Sequence, residues 1–254
     1  TTKTLSAIHS VQPDIMDDLL PDVDDPLRIY RDSVSGKDYV ICDYNCDGEA
    51  YRSPHTNKHF FADGTQDSES QFFPTPEHRQ LEVEANSLFD NYRDQYFQGG
   101  YSSVYFFECE QGFGAVWLVH KDVPAVDSLS AGWWDSIHIF DVQPTGTPDE
   151  FVYTLTSTVL ISMQLDANGI GNVDLSGSLA NQVQRTKTIS KTKGHIQNMG
   201  PLLEDQESLL RNRIEDIYIQ KTRQVLCVRS STGQRDDIWA TIALSLKDRP
   251  KADQ

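Results

Sequence analysis

Residues 103–188 contain five consecutive segments with the pattern of β-strands, and the connections between them are too short for crossover helices. Parallel neighbours need a crossover of a dozen or more residues, usually a helix, whereas antiparallel neighbours can be joined by a tight turn. The sequence therefore predicts an antiparallel meander. Its strands are expected at Ser103–Glu108, Phe113–His120, Trp133–Val142, Phe151–Leu165 and Ile170–Thr188.

Alternation along the fourth segment predicts which of its side chains share one face. That face is expected to carry Tyr153, Leu155, Ser157, Val159, Ile161 and Met163. Two turns favour hairpins, at Glu110-Gln111-Gly112 and at Asn168-Gly169. Gly112-x-Gly114 and Gly169-x-Gly171 lack the third glycine of a dinucleotide-binding loop and open no helix, so they are interpreted as hairpin glycines.

Helical periodicity predicts an amphipathic helix on each side of the meander. The first is expected over residues 77–98, ended by Gly99-Gly100, and the second over residues 198–228, with Pro201 in its first turn. The stripe of the first helix is Leu81, Ala85, Leu88, Phe89, Tyr92 and Tyr96. The stripe of the second is Leu203, Leu210, Ile214, Ile217, Tyr218 and Val225.

The amino-terminal third is less regular. Residues 1–32 are interpreted as short helices separated by Pro13, Pro21 and Pro26, because proline disrupts a helix interior. Residues 36–75, rich in Gly, Asp, Ser, Asn and Pro, are expected to form either an ordered loop region or a small subdomain.

Net charge excludes one large class of function. The 254 residues carry a net charge of −16, which argues against general nucleic-acid binding. Residues 1–127 hold 9 Lys and Arg against 23 Asp and Glu, whereas residues 128–254 hold 13 against 15. This asymmetry indicates two different surfaces, or solubility alone. With four cysteines, no signal peptide and no apolar membrane-length segment, the expected location is the cytoplasm.

The motifs that could carry chemistry are incomplete. Asp43-Tyr-Asn45-Cys-Asp47-Gly48 matches the front half of a calcium loop, but Pro54 stands where the bidentate glutamate belongs. Cys42, Cys46, His55 and His59 fit no common zinc spacing. The hydrolase, metalloprotease and phosphate-loop signatures are absent from the sequence. We expect neither catalysis nor a cofactor.

The carboxyl-terminal segment stands apart from the rest of the chain. Ser230–Gln234 is a flexible linker, and the amphipathic segment 236–247 follows it. Asp236-Asp237 at its start and Lys247 near its end match a helix dipole. The segment is either a helix that folds back onto the domain or a mobile arm that docks in a partner's groove.

Several ordered stretches resemble one family. Among the matching stretches are Asp24-Asp25-Pro26-Leu27, Gly36–Tyr39, Cys42–Asn45, Tyr51–Pro54, Leu81–Asn86, Gln98–Tyr105, Trp134–His138, Leu155–Val159, Gly177–Leu179, and His195-Ile196 through Glu204-Asp205. Over roughly residues 11–229, the chain resembles the β subunits of the F-actin capping protein.

The resemblance implies an α+β fold and an actin-capping function without catalysis. It implies an amino-terminal helical stalk, a five-stranded antiparallel meander covered by a long helix, and a carboxyl-terminal amphipathic tentacle. The segments are expected at 1–100 (stalk and loop-rich subdomain), 101–190 (sheet), 191–229 (long helix) and 230–254 (linker and tentacle). The family works as an α/β heterodimer with a joint sheet, on the barbed end of the actin filament, in the cytoplasmic cytoskeleton.

The resemblance also implies which residues would bind actin and which would bind regulatory peptides. The actin-binding residues would be Arg229, Ile238, Trp239, Ile242, Leu244 and Leu246. Asp24 and Asp43 match acidic stalk residues that bind capping-protein-interaction peptides. Acidic phosphoinositides are a further candidate partner. The chain also departs from the family. Cys46 stands where the family usually has arginine, and His55 where it usually has tryptophan. The tail keeps the amphipathic pattern of the family but not its residue identities, and the start of the chain implies a short or absent first stalk helix.

Two other functions are alternatives. The heterodimer could be a scaffold that caps an actin-related filament, such as that of dynactin, or the chain could be a calcium- or zinc-dependent enzyme. The shared sheet further implies that the isolated chain exposes an edge strand and is poorly soluble or self-associates.

Overall fold

The computed structural model describes most of the central part of the chain. The described residues are 27–124, 129–167, 171–190, 194–217 and 220. No helix among them is long and apolar enough to cross a membrane.

A five-stranded antiparallel sheet forms the centre of the molecule and confirms the predicted meander. Its strands are β7 (Tyr101–Cys109), β8 (Gly112–Val123), β9 (Leu129–Pro144), β10 (Glu150–Ala167) and β11 (Gly171–Thr188). They lie side by side in the order of the chain, from β7 at one edge to β11 at the other. The Asn168-Gly169 turn lies outside the described residues, and the strands it joins pair up to Ala167 and Gly171.

The fourth strand alternates as predicted. Tyr153, Leu155, Ser157, Val159 and Ile161 are all buried, while most of the residues between them are partly exposed. The side chain of Met163 lies outside the description. The hairpin glycines have a steric reason: a Cβ at Gly112, whose φ is +104°, would overlap the carbonyl of Val142.

Helix α1 (Pro76–Tyr96) begins one residue before the predicted start and ends two residues before the predicted end. Thr75 caps it, and its hydroxyl accepts the His78 N–H. The predicted stripe is correct for four of its six residues. Ala85 and Phe89 are buried, and Leu81 and Tyr92 pack against the core. Leu88 and Tyr96, however, are 50% and 46% exposed.

Helix α2 spans residues 195–217, so it starts three residues before the predicted position. Pro201 therefore lies in its second turn and not its first. The Gln197 side chain accepts the Gly194 N–H and so caps the earlier start. Leu203, Leu210 and Ile214 are buried as predicted, whereas Ile217 is 39% exposed. Tyr218 and Val225 lie outside the described residues, as does most of the predicted extension to residue 228.

Both helices pack on the same face of the sheet and share one core with it. That core contains Ala85 and Phe89 of α1, Met199, Leu202 and Leu203 of α2, and a row of aromatic and aliphatic side chains from four strands. The row consists of Val104, Phe106, Phe113, Ala115, Trp117, Val119, Phe140, Val142, Tyr153 and Leu155. Burial of these side chains is the main force that holds the helices on the sheet.

Residues 29–67, a small β-rich subdomain, contain six short strands, and Ile29 and Val40 pack on the face of the main sheet opposite the helices. Strands β1 (Ile29–Arg31) and β2 (Asp38–Val40) form a hairpin. Strands β3 (Cys46–Asp47), β4 (Ala50–Arg52), β5 (His59–Phe60) and β6 (Gln66–Asp67) form a separate four-stranded sheet. The subdomain is joined to the main sheet because Tyr105 Oη donates to the Val40 carbonyl at 2.7 Å.

The predicted amino-terminal helices are partly wrong. Residues 29–31, placed in a helical region, pair instead with β2, with Ile29 opposite Val40. Pro26 limits helix formation there, and Ile29 gains an apolar surface beneath the sheet. Residues 1–26 lie outside the description.

Candidate interaction surfaces

The two outer strands of the main sheet differ in what lies beside them. On β7, side chains of α1 take the place of a neighbouring strand. Asn86 Oδ1 accepts the Val104 N–H at 2.9 Å, and its amide donates to the Val104 carbonyl at 2.8 Å. Glu82 Oε2 accepts the Phe106 N–H at 2.9 Å. Backbone groups that the outer edge of β7 would otherwise expose are thus hydrogen-bonded to side chains of the same chain.

Glu82 is at the centre of a buried ionic cluster that joins three parts of the chain. Its carboxylate binds the Arg52 guanidinium in bidentate fashion, with both N–O distances 2.7 Å. Both side chains have no exposed surface. Arg79 binds the same carboxylate from the preceding turn of α1. The cluster locks α1, the small subdomain and β7 together, since breaking a buried pair leaves an uncompensated charge.

Strand β11, at the other end of the sheet, pairs only with β10 among the described residues. Its 18 residues pair with β10 along their whole length, from Gly171 opposite Ala167 to Thr188 opposite Glu150. Side chains of the second half of the strand, among them Gln182, Gln184 and Arg185, are exposed. A long unpaired edge exposes a row of backbone N–H and C=O groups to which another strand can add.

Above this half of the sheet, a polar cluster anchors α2. His138 Nε2 lies 2.9 Å from Glu207 Oε2, and His138 Nδ1 lies 2.8 Å from Ser157 Oγ. Ser136 Oγ donates to the other oxygen of Glu207 at 3.2 Å. Burial alone would raise the pKa of Glu207, but the hydrogen bond and charge of His138 outweigh it, so this pKa is lowered.

The serine, histidine and glutamate of this cluster are the residue types of a nucleophilic triad, but their arrangement does not suit catalysis. Ser157 has no exposed surface, and His138 and Glu207 are each 1% exposed. The imidazole also faces serine with Nδ1 and the carboxylate with Nε2, the reverse of the usual triad. The cluster positions α2 on the sheet and admits no substrate.

The chain is similar in sequence to proteins of one family. The family model described as "F-actin capping protein, beta subunit" matches residues 1–226. The F-actin-capping protein subunit beta of Drosophila melanogaster is 40% identical over 237 residues, covering 92% of this chain and 83% of that protein.

The chain belongs to the β-subunit family of the F-actin capping protein.

A second family member matches over a similar length, and one solved structure shares the fold. The F-actin-capping protein subunit beta of Dictyostelium discoideum is 39% identical over 235 residues, covering 91% of this chain and 84% of that protein. Among solved structures, a homodimeric actin capping protein alpha subunit from Plasmodium berghei matches with a TM-score of 0.50 at 15% identity. It covers 100% of this chain and 89% of the other, and it shows a shared fold.

Several of the stretches that resemble the family contribute residues to the buried clusters. Arg52 comes from Tyr51–Pro54, Glu82 and Asn86 from Leu81–Asn86, and His138 from Trp134–His138. These stretches therefore hold the fold together.

Of the predicted binding residues, Asp43 is the one inside the described part of the chain. It is exposed at the start of a short 3₁₀ helix, next to Tyr44, whose ring stacks on Phe107 with centroids 4.4 Å apart. Asp24 and all of the predicted actin-binding residues lie outside the described residues: Arg229, Ile238, Trp239, Ile242, Leu244 and Leu246.

The half calcium loop forms a structural turn. The buried Asn45 side chain accepts the Cys42 N–H and donates to the Arg52 carbonyl, and Asp47 accepts the N–H groups of Gln71 and Phe72. Burial raises the pKa of Cys42 to about 12. In the part of the chain that the structure describes, no three His, Cys, Asp or Glu side chains are grouped as a metal site would need.

The roles of Glu82 and Glu207 were not predicted, although the sequence carries a signal for both. Glu82 lies three residues before Ala85, and Glu207 lies between Leu203 and Leu210 at helical spacing. An acidic residue at the spacing of a buried stripe indicates a carboxylate with an internal partner, because an unpaired buried charge is too costly.

Proposed function

We propose that this chain is the β subunit of a heterodimer that caps actin-filament barbed ends without requiring calcium. Family membership supports the capping function, and the open edge of β11 is the observation that carries the heterodimer. An α subunit of similar fold would add its own outer strand along β11 and extend the sheet. Capping blocks subunit exchange by occupancy, so it needs neither a catalytic residue nor a cofactor.

The actin-binding surface would lie beyond α2. The described part of this helix reaches Ile217, and the sequence after it carries Arg229 and the amphipathic stretch 236–247. Actin is acidic, so Arg229 would steer association, and Trp239 is the type of side chain that anchors an interface. We assign Ile238, Ile242, Leu244 and Leu246 to the same surface, and residues 230–254 to a linker and tentacle.

The amino-terminal third would serve regulation. Residues 1–100 would comprise a helical stalk and the small β-rich subdomain. Asp24 and the exposed Asp43 would bind basic capping-protein-interaction peptides, consistent with the acidic charge of residues 1–127. The cationic residues after Arg185 are the candidate contacts for acidic phosphoinositides. A protein with this function works in the cytoplasmic cytoskeleton.

Seeded actin elongation tests the site assignment. Purified heterodimers carrying Arg229→Glu or a deletion of residues 235–254 should cap more weakly than the wild type, with α-subunit binding unchanged. Arg213→Glu is the matched control, because Arg213 is an exposed arginine on α2. If both tail variants cap as well as the control, the assignment of the actin surface to the tail is wrong.

A further inference from the structure

An apolar groove lies between α1 and α2 on the helix-covered face of the sheet. The groove has a cavity volume of about 370 Å³.

 Apolar side chains line most of it, among them Leu88, Phe89, Trp117, Ile196 and Leu203. A second cavity of about 250 Å³ shares Tyr92 and Glu204 with it and continues toward Arg211.

The groove has features of a surface that is covered by another element. Leu88 is 50% exposed although it points into an apolar cavity, and Tyr96 beside the second cavity is 46% exposed. Trp117 is 3% exposed, and its indole N–H has no acceptor among the described residues. Buried indole N–H groups usually have a partner, so an acceptor from a further element would satisfy it.

We propose that this groove binds the chain's own amphipathic segment 236–247. The segment places Ile238, Trp239, Ile242 and Leu246 on one helical face, which matches the apolar floor of the groove. As a helix, its 12 residues would be about 18 Å long. The part of α2 that borders the two cavities, from Ile196 to Arg211, is about 22 Å long by the same rise.

The charges at the two ends of the groove fit one direction of binding. A segment that returns from the end of α2 enters at Arg211 and runs toward the start of that helix. Asp236-Asp237 would then lie near Arg211, and Lys247 near the carboxylates of Glu204 and Glu84. Glu84 lies beside this end of the groove, because it accepts a hydrogen bond from Gln197. The opposite direction would place Lys247 near Arg211 and Asp236-Asp237 near Glu84. Glu204 and Asp205, which line the second cavity together with Arg211, face the segment in either direction.

The segment between α2 and Asp236 is long enough to bring the tail back to the groove. If α2 continued to residue 228, as the sequence predicts, its end would lie about 26 Å beyond Arg211. The eight steps from residue 228 to Asp236 span roughly 26–29 Å when extended. An earlier end of the helix would leave more slack.

Docking in the groove would compete with filament binding, so this inference rests on the proposed role of the tail in capping. A tail that is docked about 90% of the time would weaken the apparent capping affinity about tenfold, because one tenth of the molecules would be competent. The groove would thus hold the arm of a free heterodimer, and a filament end would draw it out.

Photo-crosslinking in the full heterodimer tests the docking directly. The photoreactive residue p-benzoylphenylalanine replaces Leu88 in one variant and Val83 in the other. Both positions are on α1 and both side chains are 50% exposed, but Val83 is not among the residues that line the groove. We expect position 88 to crosslink to a peptide from 236–247, with a yield independent of protein concentration, and position 83 to give little of this product. Equal yields, no tail product at position 88, or a yield that rises with concentration would overturn the proposal.

A capping measurement separates this proposal from the proposed function. Leu88→Glu should release the tail and tighten barbed-end capping several-fold, up to about tenfold, whereas Val83→Glu should leave it unchanged. Equal capping by wild type and Leu88→Glu would show that the groove does not restrain the tail. If even the wild-type heterodimer fails to cap, the proposed function is wrong, while the crosslinking result still decides whether the tail docks.

Discussion

The two outer strands of the sheet solve the problem of an exposed edge in different ways. At β7, Glu82 and Asn86 of α1 bind the backbone groups of Val104 and Phe106, so the edge is closed by the chain itself. At β11, β10 is the one paired strand among the described residues, and a helix side chain bonds the backbone at the end of the strand, where the Asn198 amide of α2 donates to the Thr188 carbonyl at 3.0 Å. The comparison indicates that side chains of α1 bond the backbone in the middle of β7, whereas β11 is the edge along which we propose that the α subunit adds a strand.

The buried carboxylates near the two edges, Glu82 and Glu207, also differ in what they bind. Glu82 is paired with the guanidinium groups of Arg52 and Arg79 and also accepts the backbone N–H of Phe106 in the outer strand. Glu207 is paired with His138 and Ser136 of β9, and Ser157 of β10 contacts the same imidazole. The cluster around Glu82 therefore includes the outer strand β7, whereas the cluster around Glu207 lies on inner strands and does not include β11.

Glu82→Ala should have the largest effect, because it leaves Arg52 buried without its bidentate partner. We expect a loss of about 3–5 kcal/mol in the free energy of unfolding, measured by urea denaturation of the heterodimer. Glu84→Ala is the control, since Glu84 is exposed two residues away and should cost less than about 0.5 kcal/mol. Similar losses in the two variants would show that the β7 edge does not depend on the buried cluster.

Proline in β11 should remove partner binding. Successive backbone N–H groups in a strand point in opposite directions, so of Gln182→Pro and Val183→Pro, one removes a bond to β10 and the other blocks the open edge. The edge-blocking variant should weaken α-subunit binding roughly a hundredfold, or about 2.7 kcal/mol, in a co-purification titration. Unchanged binding by both variants would exclude strand addition at β11.

Asn86→Ala should destabilise the closed edge by a smaller amount. The change leaves the Val104 N–H and carbonyl without their side-chain partner, at a cost of about 1–3 kcal/mol in the free energy of unfolding. Asn91→Ala serves as the control, because Asn91 is exposed and its amide donates to a carbonyl of its own helix. Asn86 would have no role at the edge if both substitutions cost the same.

The smallest expected effect is a pH dependence at Glu207. Because the pKa of Glu207 is lowered in the folded protein, its stabilisation is present above the unfolded pKa of about 4.3 and is lost as pH falls through the folded value. Glu207→Gln should reduce the fall in stability between neutral and acidic pH, measured by thermal unfolding across that range. A pH profile identical to the wild type would show that another group controls the acid transition.

The sequence predicted the meander well, because its strands alternate and follow one another through short connections. It misplaced the start of α2, since Pro201 is typical of a first turn and the cap formed by Gln197 leaves no strong pattern. It could not predict that Glu82 and Asn86 close an edge. That role depends on three segments far apart in the chain meeting in space.

Much of the candidate site could be predicted only through the family resemblance. The open edge of β11 follows from the order of the strands, which composition cannot give. Conversely, periodicity placed Leu88 and Tyr96 in a buried stripe, yet both are about half exposed beside the groove. An apolar stripe predicts a surface that will be covered, but it does not say which element covers it.

Seeded actin elongation with the wild-type chain, the α subunit and their equimolar pair tests the central claim most directly. In a calcium-free buffer, we predict that the pair alone stops barbed-end growth and that neither subunit does so by itself. Full capping by this chain without an α subunit, or continued growth in the presence of a soluble, assembled pair, would contradict the account.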